Sequence, residues 1–136
     1  MRIAHTLLLL TGLASLGACS RGIEFEIANN DSAALVKAIR TANATPGHDT
    51  IRLARNGLYI LNKEAQAGLL LPSIQGDITI EGNRSEIRGY SAEPAAILQV
   101  EDNANVRIEH LVLAEGTDGA VRNYGQLHLD HVGIVD

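Results

Sequence analysis

Four apolar–polar–apolar triplets recur along the chain and constrain its fold more than any other sequence feature. They start at residues 51, 78, 106 and 127, and they are Ile51–Leu53, Ile78–Ile80, Val106–Ile108 and Leu127–Leu129. Alternation with a period of two is typical of β-strands, and a repeat of about 20 to 50 residues is typical of stacked architectures. The triplets therefore predict short strands that stack on one another.

The last two copies extend further, because residues 106–113 align with residues 127–134. Each copy is typical of two short strands separated by a two-residue corner, and stacking such units forms a continuous apolar interior. The inward residues would be Val106, Ile108, Leu111, Leu113, Leu127, Leu129, Val132 and Ile134. An open meander or Ig-like sandwich would need longer strands and hairpin turns. The repeated corner instead favours an all-β fold, a right-handed parallel β-helix of about three to four coils.

A single amphipathic helix is predicted before the coils, at about residues 31–44. Asp31 has the side chain of a helix N-cap, and Pro46–Gly47 ends the helical pattern. An apolar stripe at helical spacing is formed by Leu35, Ala38, Ile39 and Ala42. Residues 24–27 alternate as one strand, so we expect a domain over residues 24–136, with this helix as its N-terminal cap and coils from residue 51.

Two segments of this domain resemble a known family. Residues 31–51 look like the opening of bacterial surface proteins with a pectin-lyase-like β-helix, D-x-x-S-L-R-x-A-I-x-x-A-N-x-x-P-G-x-D-T-I, with Ala34 and Val36 as departures. Residues 119–129 resemble the family's coil motif G-A-I-x-N-x-G-x-L-x-L. The resemblance implies a β-helix from about residue 24 onward. It implies no single activity, because the superfamily includes polysaccharide lyases, glycoside hydrolases and adhesins.

The N-terminus has the organisation of a secretory signal peptide. Arg2 precedes an apolar stretch over residues 3–16, and small residues then lead to Cys19, the single cysteine. The apolar stretch is short for a membrane-spanning helix, which needs about 20 residues. Residues 1–18 are therefore predicted to be a signal peptide, and residues 19–23 a short tether.

The end of this segment resembles the bacterial lipoprotein signal, the lipobox, at Leu16, Gly17, Ala18 and Cys19. The resemblance implies a diacylglycerol on Cys19 and cleavage before it, and two or three acyl chains anchor a protein stably. The residue after Cys19 is Ser20 and not an aspartate. By resemblance to known lipoprotein sorting, this favours the outer membrane of a Gram-negative bacterium. A membrane is thus the expected partner, on its periplasmic or outer face.

Composition excludes several classes of function. The net charge of -5 argues against a nucleic-acid partner, which would require clustered Lys and Arg. With Cys19 lipidated, no disulfide or cysteine metal site is expected. The few aromatic residues weaken a prediction of strong sugar binding, and they are Phe25, Tyr59, Tyr90 and Tyr124.

The alignment of the copies places Glu81, Glu109 and Asp130 in one column at a corner. Adjacent coils are about 4.8 Å apart, and carboxylates at that spacing repel one another unless a cation lies between them. One hypothesis is a Ca²⁺ site, since this ion prefers oxygen ligands. The favoured interpretation is a solvated turn with Arg84 and Arg107 nearby, so no cofactor is expected.

Three histidines follow the same alignment. His110 and His131 should lie side by side at the corner, and His128 should point outward. Histidine is a common acid–base group. His128 and His131 leave the chain at different places, however, and form no chelating pair. No catalytic residue is assigned.

We therefore expect a non-catalytic surface lipoprotein that binds polysaccharide or envelope components. The alternatives are the N-terminal part of a polysaccharide lyase or glycoside hydrolase, and an adhesin. A cleft of basic and acidic residues on one outward face would favour the enzyme.

The chain ends at Asp136 directly after a strand pattern, and solenoids normally have a cap at each end. We expect a longer, truncated β-helix, or a partner that covers the last coil.

Overall fold

The computed structural model describes residues 21–136, which form mostly β-strands and one α-helix. In chain order the elements are β1 (Glu24–Ile27), α1 (Ser32–Ala44), β2 (His48–Leu53), β3 (Leu58–Leu61), β4 (Asp77–Gly89), β5 (Leu98–Val100), β6 (Asn105–Ala114), β7 (Val121–Asn123) and β8 (Gln126–Val135). No helix within this range is long and apolar enough to cross a lipid bilayer.

Most strands belong to one six-stranded sheet with the order β1–β2–β4–β6–β8, in which β3 also pairs with β4. β5 and β7 form a second sheet of two strands. Every pairing between these strands is parallel, whereas an Ig-like sandwich or a meander is antiparallel. The prediction of an all-β fold is confirmed at the level of a strand-rich parallel fold, and the sandwich alternative is wrong.

The predicted alignment of the repeats is correct for the last three triplets. Ile78 lies beside Val106, and Val106 lies beside Leu127. The first triplet was aligned wrongly by two residues, because Ile51 lies beside Ile80 and not beside Ile78.

A buried aspartate explains this displacement. Asp49, not an apolar residue, occupies the inward position beside Ile78 and is fully buried. Its carboxylate accepts hydrogen bonds from the backbone N–H of Ile23 at 2.7 Å and from the Thr45 hydroxyl at 2.9 Å. Buried polar groups are tolerated when they are paired in this way. The apolar pattern therefore begins one inward position later in β2 than in β4.

The core contains side chains from both sheets and from the helix, and most of them are aliphatic. The inward residues predicted for β6 are all buried, namely Val106, Ile108, Leu111 and Leu113. Their equivalents in β8 lie beside them in register but stay half-buried or exposed, namely Leu127, Leu129, Val132 and Ile134. Of these, Leu127 and Val132 pack against the core as predicted. β8 is the last strand of the sheet, and no other strand within residues 21–136 pairs with its far edge.

The helix lies at the other end of the sheet, where it contacts β1, β2 and β3. It begins as predicted, because the Asp31 carboxylate accepts the backbone N–H of Ala34 at 3.0 Å. The predicted apolar stripe is its buried face, formed by Leu35, Ala38, Ile39 and Ala42. Burying this face covers the interior beside the first strands.

The long strands β4, β6 and β8 each change direction at a residue with left-handed backbone. In β6 and β8 this residue is a histidine, His110 with φ 49° and His131 with φ 54°. In β4 the left-handed residues are Asn83 and Arg84, within a bulge in which residues 82–84 lie opposite His110. The corner predicted as two residues is therefore one left-handed residue in β6 and in β8.

Candidate functional site

The predicted column of carboxylates at the corner is present. Glu81 lies beside Glu109, and Glu109 lies beside Asp130. Their mutual repulsion is offset by two arginines on the same face. Arg52 donates to Glu81 at 2.6 Å, and Arg107 lies 3.0 Å from Glu109 and 3.5 Å from Asp130.

Arg52 connects three strands through these contacts. Besides Glu81, it donates to Glu26 at 2.6 Å and to Glu24 at 3.2 Å. The hydrogen bonds that the Arg52 guanidinium donates to Glu81 and Glu26 raise its pKa. Arg84 was expected to offset the carboxylate charges, but Arg52 makes these contacts. A calcium ion would have to displace these arginine contacts, so the Ca²⁺ site stays a prediction that the contacts do not favour.

The two corner histidines stack as predicted. The rings of His110 and His131 have their centroids 4.9 Å apart and are inclined by 20°. Next to them, the Nδ1 atom of His131 lies 2.6 Å from the Oδ1 atom of Asp130. This hydrogen bond, with the nearby charge of Arg107 as a smaller cause, lowers the pKa of Asp130. A carboxylate and two imidazoles thus meet at one exposed corner.

His128 lies away from this pair, as predicted, in a cleft of about 360 Å³ on the outward face of the sheet. The cleft contains a hydrogen-bonded chain that the sequence reasoning missed. His48 contacts the Asp77 carboxylate through Nδ1 at 2.7 Å and the Thr79 hydroxyl through Nε2 at 2.9 Å. Arg107 lines the same cleft.

The parallel register produces this chain of contacts. His48 lies beside Asp77, and Thr79 follows Asp77 on the same face of β4. An ionised Asp77 accepts the Nδ1 proton, which leaves the lone pair on Nε2. That is the polarity of a general base. In the sequence, the one indication of this contact is that Asp77 and Thr79 alternate with inward isoleucines and so face outward. His48 could not be placed beside them because its strand, β2, was aligned wrongly.

A wider cleft of about 1100 Å³ lies where β4 and β6 end. Tyr90, which directly follows β4, projects into solvent with 74 % of its surface exposed. Polar groups around it include Asn62, Ser91, Glu115 and Thr117. In the sequence Tyr90 stands out only as one of few aromatic residues, because the cleft depends on the lengths of loops without a regular pattern.

No known protein family, curated protein or solved structure matches the chain. The likeness to pectin-lyase-like proteins therefore stays a prediction made from the motifs. The lipobox residues Leu16, Gly17, Ala18 and Cys19 lie outside the described residues, and so does the signal peptide.

Proposed function

We propose that the protein is a lipid-anchored, extracytoplasmic right-handed parallel β-helix that binds polysaccharide in the cleft around Tyr90. The observation that carries the binding proposal is the exposed aromatic ring of Tyr90 within a cleft rich in hydrogen-bonding groups. A ring with one apolar face and a polar tip suits a partner that has both characters. Pyranose rings present such a combination of C–H faces and hydroxyl groups.

The parallel pairings support the β-helix. Successive long strands lie in register beside one another along the six-stranded sheet, and β5–β7 provides a second stack. Isolated parallel bridges between Leu69 and Ala96 and between Ile74 and Val100 extend that second stack. A parallel sheet without helical crossovers between its later strands requires the chain to wind around the interior. Left-handed residues at the corners fit such winding.

The motif at Leu16–Cys19 supports the lipid anchor, and Ser20 after it supports the outer-membrane location. The test is expression of the full chain in a Gram-negative bacterium with labelled palmitate. The chain should carry the label and sediment with the outer membrane. Cys19→Ser should lose both properties, whereas Ser20→Ala should keep them. An unlabelled wild-type chain would contradict the anchor and leave the polysaccharide proposal to be decided separately.

The charge of the Tyr90 cleft indicates which polysaccharide fits. Glu115 is half exposed there, and its only nearby guanidinium is Arg88 at 3.9 Å among the described residues. A carboxylate accepts hydrogen bonds from hydroxyl groups and repels anions. We therefore expect a neutral, hydroxyl-rich polysaccharide in preference to a uronate polymer.

Affinity electrophoresis of the full chain in gels with soluble neutral glucans or polygalacturonate tests this preference. Neutral glucan should retard the wild type, and Tyr90→Ala should migrate at the unretarded position. Tyr124→Ala is the matched control, because Tyr124 is also exposed, at 64 %, but lies outside the cleft. Equal retardation of Tyr90→Ala and the wild type would contradict the proposed site.

The His48 cleft favours a second candidate function, a polysaccharide lyase. Its outward face combines a base, His48, with the cationic side chain of Arg107 and with His128. In β-elimination a base removes the proton next to a carboxylate whose charge a cation offsets. A C=C bond forms as the glycosidic C–O bond breaks, and the leaving oxygen takes up a proton. The test is release of unsaturated, ultraviolet-absorbing product from a panel of uronate polymers. His48→Gln should abolish release and His110→Asn should not, whereas no product from the wild type would exclude the lyase.

A further inference from the structure

The imidazoles of His110 and His131 form a stacked pair at the exposed corner of β6 and β8. Both residues adopt left-handed backbone at equivalent positions, with φ values of 49° and 54°. The parallel register on either side, Glu109 beside Asp130 and Leu111 beside Val132, holds them at the same level. The rings therefore stack at 4.9 Å by virtue of the backbone and not through a flexible loop.

Asp130 gives the pair a definite protonation pattern. Its Oδ1 atom is 2.6 Å from Nδ1 of His131, and its Oδ2 atom is 3.5 Å from Arg107. An ionised Asp130 accepts the Nδ1 proton of His131, so the lone pair of that ring lies on Nε2. Metal-binding histidines commonly have a carboxylate on the ring nitrogen that does not face the metal.

The three side chains lie near one another but farther apart than the ligands of one shared ion. One donor atom from each of His110, Asp130 and His131 can be chosen so that all lie within 4.8 Å of one another. With metal–nitrogen bonds of about 2.0–2.1 Å, two nitrogens of a tetrahedral site are about 3.3 Å apart. Both rings are exposed, so rotation of their side chains can close this gap without moving the strands.

We infer that His110 and His131 bind one divalent transition-metal ion, with Asp130 as the positioning residue that fixes the His131 tautomer. Imidazole is a ligand that suits Zn²⁺, Cu²⁺ and Ni²⁺, and water fills the remaining positions. Arg55 and Arg84 line the cleft on the β4 side of His110. The ion therefore sits toward β8, on the Nε2 side of the His131 ring. Such a site differs from the Ca²⁺ hypothesis, which required oxygen ligands from three carboxylates.

The test is a calorimetric titration of the purified full chain with ZnCl₂. One ion should bind per chain, and Asp130→Asn should weaken binding by about 10–100-fold. His110→Asn and His131→Asn should weaken it at least as much. Asparagine is the replacement because it tolerates left-handed backbone better than alanine does. His128→Asn, on an exposed position of the same strand, should leave the affinity unchanged.

Two further measurements distinguish a positioning role of Asp130 from a purely structural one. Asp130→Glu should recover part of the affinity that Asp130→Asn loses. The ¹⁵N shifts of the His131 ring should report a proton on Nδ1 in the wild type and a mixture of tautomers in Asp130→Asn. Unchanged tautomers in Asp130→Asn would refute the positioning role.

NMR signals of the imidazole rings in the wild-type chain test the inference without any variant, so the result does not depend on whether the variants fold. Zn²⁺ should shift the imidazole signals of His110 and His131 and leave those of His48 and His128 in place. Shifts at His48 or His128 instead, an unchanged affinity in folded His110→Asn, or binding of Ca²⁺ but not Zn²⁺ would each overturn the inference.

Discussion

Tyr59 ties the first strand to the turn after β2 through its hydroxyl group. The side chain is fully buried; its O–H donates to the backbone carbonyl of Ile27 at 2.9 Å and accepts the backbone N–H of Ala54 at 2.9 Å. Tyr59→Phe keeps the ring but removes the hydroxyl partner of the buried Ile27 carbonyl and of the part-buried Ala54 N–H. Such a loss costs about 1–3 kcal/mol, which thermal denaturation should detect as a lower melting temperature.

The control is Tyr124→Phe, because Tyr124 is exposed and substitutions at such positions change stability by about 0.5 kcal/mol or less. If Tyr59→Phe melted at the wild-type temperature, the hydroxyl would not link these strands in solution.

The same burial predicts a pH dependence. Loss of hydration raises the pKa of Tyr59 above its ordinary value of about 10. Between that value and the higher folded-state pKa, the unfolded chain loses the Tyr59 proton more readily than the folded protein does. The stabilisation is therefore complete below about pH 10 and is lost as the pH rises. Urea denaturation from pH 8 to pH 11 should give a steeper decline for the wild type than for Tyr59→Phe, and parallel curves would contradict this assignment.

At the scale of the element, the corner of β4 depends on the absence of a side chain at Gly82. A Cβ atom there would lie 2.4 Å from the carbonyl oxygen of His110 and 2.7 Å from that of Glu109. Gly82→Ala must therefore separate β4 from β6 at the bulge. We expect a loss of about 1–3 kcal/mol, as for other overpacked positions, measured by chemical denaturation.

Gly133→Ala on β8 is the matched control. The nearest atom to its added Cβ would be Cγ2 of Val112 at 3.5 Å, an ordinary van der Waals contact. Alanine also restricts the unfolded chain more than glycine does, so stability should stay unchanged or rise slightly. A Gly82→Ala variant as stable as Gly133→Ala would mean that the strands separate at the bulge without cost.

Sequence periodicity predicted the elements better than it predicted the chemistry between them. The alternation in β6 and the apolar stripe of α1 identify buried faces, because burial follows the period of each element. The same rule put His110 beside His131. It could not predict that Asp49 is buried, since the carboxylate depends on donors from Ile23 and Thr45 that no periodic pattern connects to it.

The candidate sites were predictable to different degrees for the same reason. Glu81, Glu109 and Asp130 share one register position, so the repeat alone aligned them. The His48–Asp77 contact required the alignment of β2 with β4, which the inward aspartate displaced. The Tyr90 cleft depends on loops that obey no period, so no sequence pattern could have located it.

At the scale of the whole molecule, the two ends of the sheet differ in how their apolar faces are covered. Ile108 of β6 and Leu129 of β8 are neighbours in register, but Ile108 is fully buried and Leu129 is 41 % exposed. Ile108→Ala should cost about 2–5 kcal/mol, because it leaves a cavity in the interior. That is a large share of the roughly 5–15 kcal/mol that stabilises a domain.

Leu129→Ala should lower the free energy of unfolding clearly less, because Leu129 is already partly exposed to solvent in the structure of residues 21–136. Chemical denaturation of both variants at micromolar and at tenfold higher protein concentration measures the difference. A concentration-independent gap would agree with a β8 face that is open in solution. Equal costs for the two variants would contradict this expectation and require another surface to cover β8. A cost for Leu129→Ala that rises with concentration would identify that surface as a second copy of the chain.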